Sequence, residues 1–372
     1  MRATLERAHL LKSLSHVHRV VERRNTIPIL SNVLLRAAGG ELHLKATDLD
    51  LEMTETTPAM VEQPGATTVP AHLLHDIVRK LPDGAEVSLE TSADGGTLSL
   101  RSGRSRFSLQ MLPEADFPDL TAGQFSHAFE LTTAELGRLI KRTQFAISTE
   151  ETRYYLNGIF LHTVEVRGTT MLRAVATDGH RLAQAELPAP KGAAGMPGVI
   201  VPRKTVGEIE KLVDGADGTV SIELSDAKLR LSIGPVVMTS KLIDGTFPDY
   251  ARVIPQGNDK DLNVDRDEFK TAVDRVSTVS SERGRAVKLA LTEGRLVLSV
   301  NNPDSGSATE ELAVEYEATP LEIGFNAKYL IDIADQIGSG TMAFRLADPG
   351  SPTLVQDGSD TSALYVLMPM RV

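Results

Sequence analysis

The stretch ATDGHRLA, residues 176–183, sets Asp178, His180 and Arg181 within four positions, beside Gly179. An aspartate next to a histidine can orient a general base, and with further ligands it can begin a metal site. Either chemistry needs a partner, a nucleophile or a third ligand. The chain has no G-x-S-x-G elbow, Walker A loop, H-E-x-x-H helix or Rossmann glycine fingerprint. Gly338 and Gly340 form a lone pair at a predicted helix end, which reads as a C-cap and turn. There is no cysteine, which excludes disulfides, thiolate metal sites and a cysteine nucleophile. The closest histidine pair, His16 and His18, is spaced i and i+2, and on a helix those side chains point apart. No catalytic residue, metal ligand or cofactor is therefore expected. A hydrolase using Asp178 and His180 stays open as the enzyme reading, and loss of turnover on changing His180 would support it.

The elements around the stretch say what it is for. Asp178 and Gly179 read as a turn between the strands RAVA and RLAQAEL. An earlier stretch, KATDLD at 45–50, keeps the aspartate but has no histidine after it, so the aspartate belongs to a repeated turn. Two further landmarks recur about 130 residues apart: TTVPAHLLHDIVRKLPDG (67–84) with VIVPRKTVGEIEKLVDG (199–215), and FPDL (117–120) with FPDY (247–250). A third, weaker copy carries EIGFNAKYLIDIADQIGSG (322–340), with VNNPDS (300–305) in place of the ATD turn. Internal self-similarity on this scale is the signature of tandem structural repeats. The boundaries fall near 124 and 251, giving 1–124, 125–251 and 252–372.

Each repeat predicts two amphipathic helices and several alternating strands, an α+β unit of helices packed on antiparallel sheet. Leu10, Leu14, Val17 and Val21 form the first stripe. Leu74, Ile77, Val78 and Leu81 form the second, and Val206, Ile209, Leu212 and Val213 its counterpart in the middle repeat. The stretch 132–144 offers a threonine N-cap with Glu135 in the first turn, and Phe269, Ala272, Val273 and Val276 fall together in the third repeat.

Hydrophobic residues make up 41% of the 372, enough for sizeable cores. The N-terminus lacks a signal-peptide apolar core and no run approaches 18 apolar residues, so a soluble, cytoplasmic protein without membrane contact is expected. The formal net charge of -11 argues on its own against nucleic acid. Its distribution argues otherwise. The six predicted helical stretches (6–24, 71–80, 132–144, 202–212, 265–275 and 326–336) together carry +5, which leaves -16 for the rest. Charged helix faces can simply be solvated. The sharper alternative is one common helical surface that meets a polyanion.

At this point six motifs are recognisable: RYYLNG, ATDGHRLA, VIVPRK, TSKL-x-DG-x-FPDY, IGFN and the terminal MPMR. Together they resemble the bacterial DNA polymerase III beta subunits, the sliding clamps, along the whole chain. The resemblance implies a DNA clamp fold, with three similar domains per chain and a ring-shaped, head-to-tail homodimer around duplex DNA. It implies no enzymatic activity and no bound nucleotide or other cofactor. It implies partners in the DNA polymerase III alpha subunit, the clamp loader, other polymerases and mismatch-repair proteins, each carrying a short motif with a glutamine and a hydrophobic pair.

By the same resemblance, residues are carried over position by position. The peptide pocket would take Arg153, Tyr155, Leu156, Thr177, Gly179, His180, Arg181, Leu182, Pro248, Arg252 and Val253 from the middle repeat. From the third it would take Asn326, Tyr329, Val366, Met368, Pro369, Met370 and Arg371. Methionines suit a surface that accepts several partners; a last strand tucked into the core is the plainer account of the same residues. DNA contact would fall to Arg24, Tyr154, Tyr155, Arg203 and Lys204, and the subunit interface to Phe107 and Leu109 opposite Thr278 and Val279. The chain departs from the family pattern at His72 and Leu73, where basic residues are common, and at Glu150, where an amide is common. A repeat scaffold that binds proteins without DNA is the remaining alternative, and it gives no reason for basic helices.

Overall fold

A computed structural model of the chain describes residues 1–120, 123–280 and 286–372. The architecture is α+β, with six α-helices among the described residues: α1 (Arg7–Val17), α2 (Ala71–Lys80), α3 (Thr133–Lys141), α4 (Arg203–Val213), α5 (Arg266–Ser277) and α6 (Ala327–Ala334). The predicted stripes are buried faces. Leu10, Leu14 and Val17 are fully buried, as are Leu74 and Val78, and Phe269, Ala272 and Val273. Local chemistry sets the ends. Asp265 caps α5 by accepting the backbone N–H of Asp267 and of Glu268, each at 2.9 Å, and Asn326 caps α6 through the N–H of Lys328.

The first helix is shorter than the stretch 6–24 expected for it. It stops at Val17, and Val20 and Val21 reach the core through tight turns onto the carbonyls of Val17 and His18. Val21 is buried, so the apolar spacing was read correctly, but the backbone carrying it is not helical. The charge separation survives the new boundaries. In chain order the six helices carry +2, +1, +1, +1, 0 and 0, again +5 against the total of -11.

Packing divides the chain into two compact units. The first comprises 1–134, 191–196 and 207–242. It holds a five-stranded sheet, in the order Met60–Gln63, Arg2–Glu6, Glu86–Thr91, Thr97–Ser102, Ser105–Gln110, and an eight-stranded sheet. The eight-stranded order is His127–Thr132, Thr219–Leu224, Lys228–Ile233, Val236–Lys241, Leu51–Pro58, Glu41–Thr47, Asn32–Ala38, Gly65–Pro70. Its central joint is the antiparallel pairing of Val236–Lys241 with Leu51–Pro58, which fuses strands of the first and middle repeats.

The second unit comprises 135–190, 197–206 and 243–372. Its nine-stranded sheet runs Val199–Pro202, Gly158–Val166, Thr169–Thr177, Arg181–Pro188, Ala363–Leu367, Thr353–Asp357, Thr341–Leu346, Lys260–Asp265, Glu315–Tyr316. Here Arg181–Pro188 pairs with Ala363–Leu367, the same joint made between the middle and third repeats. A four-stranded sheet, Gly306–Ala313, Arg295–Asn302, Ala286–Thr292, Leu321–Asn326, lies beside α5 and α6.

Candidate functional site

The ATDGHRLA stretch is a turn, and its hydrogen bonds show why the aspartate is there. Asp178 Oδ1 accepts the backbone N–H of His180 at 2.9 Å and of Arg181 at 3.0 Å. Thr177 Oγ1 donates to the Arg181 carbonyl at 2.7 Å and accepts from Gly179 N–H at 3.1 Å. Gly179 sits at φ +87°, and a Cβ there would lie 2.6 Å from an Arg153 guanidinium nitrogen. The first repeat builds the same turn from Thr47, Asp48, Leu49 and Leu51, with Asp48 Oδ1 accepting from the N–H of Asp50 and Leu51 at 2.9 and 2.7 Å. Leu49 takes the glycine's place at φ +80°. The carboxylate of Asp178 is therefore committed to backbone and to Arg181, not to orienting His180 as a general base. Among the described residues no group of three or more His, Asp or Glu side chains could hold a metal.

Arg181 is turned inward, with only 8% of it exposed. Its guanidinium donates to Asp332 Oδ2 at 2.5 Å, to the Phe145 carbonyl at 2.5 Å and to Asp178 Oδ2 at 3.2 Å. It lies 4.1 Å over the Tyr329 ring. One side chain so ties the turn to α6, and with it Tyr329 and the Asn326 cap. At this depth Arg181 holds the turn, the Phe145 carbonyl and α6 together.

Behind the turn is an apolar cluster of Leu156, Val175, Leu182, Ile200, Phe247, Leu354 and Val366, all buried. Tyr155, Phe160, Ile243, Tyr250, Ile254 and Leu364 are half-buried against it. The rings of Phe160 and Phe247 stack at 4.9 Å with planes 7° apart. Tyr250 is fixed at its far end, where its hydroxyl accepts from Arg173 at 3.1 Å and lies 2.9 Å from His162 Nε2. Burial raises the Tyr250 hydroxyl's pKa despite that arginine, and burial lowers that of His162.

The chain's last residues form the lip. After the buried strand Ala363–Leu367, the backbone N–H of Met368 donates to the His180 carbonyl at 2.9 Å and that of Met370 to the Gly324 carbonyl at 2.8 Å. Gly324 is required here, since a Cβ would come within 2.7 Å of the Met370 carbonyl oxygen and closer still to Val372. The strand-in-core account holds up to Leu367 and stops there. Met368 is 40% exposed, Pro369 and Met370 are half-buried, and Arg371 is exposed. His180, Pro248, Arg252 and Val253 are exposed too, the last two on the short turn Tyr250–Val253. Arg153 is held by Glu150 at 2.8 Å and donates to the Asp178 carbonyl at 3.0 Å.

The residues carried over for DNA do not share one compact unit. Arg24 lies in the first and is exposed; Tyr154, Tyr155, Arg203 and Lys204 lie in the second, where Tyr154 is 53% exposed. His72 accepts no free role, because its Nε2 lies 2.8 Å from the Val21 carbonyl, while Leu73 beside it is 48% exposed. Of the interface candidates, Leu109 is 4% exposed on the edge strand Ser105–Gln110 of the five-stranded sheet. Phe107, two residues earlier on the same edge strand, is half-buried. Thr278 is exposed at the end of α5 and Val279 half-buried after it.

Sequence reasoning missed Asp332, Phe145 and Gly324 as parts of this site. Asp332 reads as half of an i,i+4 pair with Lys328, which it also makes, at 2.8 Å. Gly324 was within reach, as a glycine inside the strand stretch LEIGFN.

Known proteins resemble the chain along its whole length. Family models described as the N-terminal, central and C-terminal domains of the DNA polymerase III beta subunit match residues 1–121, 130–249 and 251–371. The beta sliding clamp of Caulobacter vibrioides is 56% identical and that of Escherichia coli K12 42%, each over the full length of both chains. A Bartonella birtlesii sliding clamp solved with griselimycin bound superposes with a TM-score of 0.97 at 59% identity, covering all of both chains. A Caulobacter crescentus beta sliding clamp gives 0.98 at 56% identity, over all of this chain and 99% of the other. The chain belongs to the DNA polymerase III beta subunit family, the bacterial beta sliding clamps.

Proposed function

We propose that the chain holds the replicative polymerase to duplex DNA as a non-catalytic ring of two copies, and that it recruits partners through the groove over Val175, Leu182 and Val366. The observation that carries the groove is its construction: a buried apolar floor beside a lip of exposed Met368 and half-buried Met370. Extended peptides with a glutamine and a hydrophobic pair suit such a groove. The apolar pair would enter the floor, and backbone polar groups along 368–371 would meet the peptide main chain. Polymerases, the clamp loader and mismatch-repair proteins are the partners this reading assigns.

The DNA reading rests on charge. Helices at +5 on a chain of -11 favour a phosphate-facing helical surface, with Arg24, Tyr154, Tyr155, Arg203 and Lys204 as its contacts. Each compact unit also leaves a sheet edge unpaired, Ser105–Gln110 in one and Gly306–Ala313 in the other, and edges of this kind seek partners. Phe107 and Leu109, opposite Thr278 and Val279, would flank a head-to-tail joint between copies. We assign the repeats 1–124, 125–251 and 252–372 as its three domains, working in the cytoplasm. No helix among the described residues is long and apolar enough to cross a membrane.

Two experiments test this. Removing residues 368–372 should abolish binding of such a peptide with the fold intact; unchanged affinity in a titration sinks the groove. Chain loaded onto nicked circular DNA by a clamp loader with ATP should stay on the circle and leave when the circle is cut once. Retention on the linear form would mean a contact grip instead of a ring.

A further inference from the structure

The two inter-repeat joints are the same structure with opposite chemistry at their floors. Strand register gives the equivalence residue by residue. Leu34 faces Lys45 as Phe160 faces Val175, and Lys45 faces Thr54 as Val175 faces Gln184. Thr47 faces Glu52 as Thr177 faces Leu182. The backbone N–H of Lys241 donates to the Asp50 carbonyl at 2.8 Å, as that of Met368 does to the His180 carbonyl at 2.9 Å. Thus Val175, Leu182 and Met368 in the second unit correspond to Lys45, Glu52 and Lys241 in the first.

In the first unit these residues form an ionic closure. Lys45 Nζ lies 3.1 Å from Glu52 and also donates to Asp119, the aspartate of FPDL. Glu52 accepts the backbone N–H of Leu120 at 3.0 Å, which draws that loop over the floor. Lys241 pairs with Asp50 at 3.0 Å where the other joint has Met368 beside His180. The side chains of Lys45 and Glu52 are 20% and 10% exposed. Burial disfavours the charge on Lys45, but its two carboxylates outweigh burial and raise its pKa. A polar cleft of about 450 Å³ remains, lined by Leu34, Arg36, His43, Lys45, Glu55 and Asp119 among others.

We propose that the Lys45–Glu52–Asp119 network is a lock that closes the first repeat's copy of the peptide groove, so that each chain takes one peptide and not two. An apolar pair entering there would leave the half-buried Lys45 and the buried Glu52 without solvent or full pairing, and a partly satisfied charge so enclosed is strongly unfavourable. The second repeat binds because the same three positions are apolar. The inference rests on the groove assigned above to the second unit.

The test restores the apolar residues in the variant Lys45→Val/Glu52→Leu/Lys241→Met. Titration with a peptide carrying a glutamine and a hydrophobic pair should give two peptides per chain, against one for the unchanged chain. With residues 368–372 removed as well, the variant should bind one peptide and the unchanged lock none. A stoichiometry of one in the full-length variant, with its melting transition retained, overturns the lock. Hydrogen exchange on the unchanged protein needs no variant to fold: peptide should slow exchange at 175–182 and not at 45–52. Protection of both stretches overturns the lock. If the unchanged chain binds no peptide at all, the groove itself is refuted, and the lock with it.

Discussion

Arg181→Ala removes one side chain and should loosen one helix. The guanidinium supplies the three hydrogen bonds that join the Asp178 turn, the Phe145 carbonyl and Asp332 on α6. Deleting one partner of a fully buried ion pair costs about 3–5 kcal/mol, because the other charge is stranded. That limit is too high here. Asp332 keeps Lys328 at 2.8 Å, and its side chain is 19% exposed. Asp178 keeps its two backbone donors. A loss of about 2–3 kcal/mol is the reasoned figure. The chain has more than one packing unit, so a single global unfolding energy is a poor readout. Amide exchange within α6 reads the local loss directly. With about 1.4 kcal/mol per tenfold, protection over residues 327–334 should fall by about 30- to 160-fold. Arg181→Lys keeps the charge but cannot reach all three acceptors, so it should fall between. Protection of α6 unchanged by Arg181→Ala, in a chain whose first unit exchanges normally, would refute the claim that Arg181 positions this helix.

Gly324→Val should displace the last residues, since its side chain meets the Met370 carbonyl and Val372. Peptide affinity should drop at least about tenfold and residues 368–372 become protease-sensitive; an intact tail would contradict this. His18 has its pKa lowered to about 4, first by burial and then by His75 and His72 beside it, with His75 stacked at 3.9 Å. A folded value below the unfolded value near 6.5 means stability present above pH 6.5 and lost as pH falls toward 4. With partial exposure the loss is about 1–2 kcal/mol in the first unit, and His18→Phe should flatten that part of the melting-temperature profile. Leu49→Gly should relieve the φ +80° conformation, against the entropy glycine adds to the unfolded chain. Stability should therefore be unchanged or raised by up to about 1 kcal/mol in denaturant titrations, and a loss greater than that would show that the Leu49 side chain packs usefully.

The turn aspartates were legible because the repeat compares the chain with itself: Asp48 and Asp178 persist while the histidine does not. The helix stripes were legible because burial follows spacing, even at Val21, where the backbone is a turn. Arg181 was placed in the right neighbourhood, but its ion pair was not visible. Its type and position fit a surface cation, and only the fold brings Asp332, which is 151 residues away, to within 2.5 Å. The depth of Leu109 was hidden for a related reason. Strand alternation shows which residues share a face with Phe107, but not how deeply each one is covered. The ionic closure in the first repeat was also invisible, because Lys45 and Glu52 are ordinary charges until the register sets them against Val175 and Leu182, and Asp119 until the fold brings it to Lys45.

The seam between Leu51–Pro58 and Val236–Lys241 has a consequence during synthesis. About 180 residues separate the two strands, so at 5–20 residues per second a nascent chain exposes the Leu51–Pro58 edge for about 9–36 s before its mate emerges. Pairing at such separation is slow to nucleate, and an open edge invites pairing with a neighbouring chain. The strand reads LEMTETTP, with Glu52, Glu55 and a final proline set into it. Carboxylates and proline on a waiting edge act as gatekeepers against aggregation. The glutamate that closes the first groove in the finished protein thereby also guards a waiting strand edge while the ribosome is still at work.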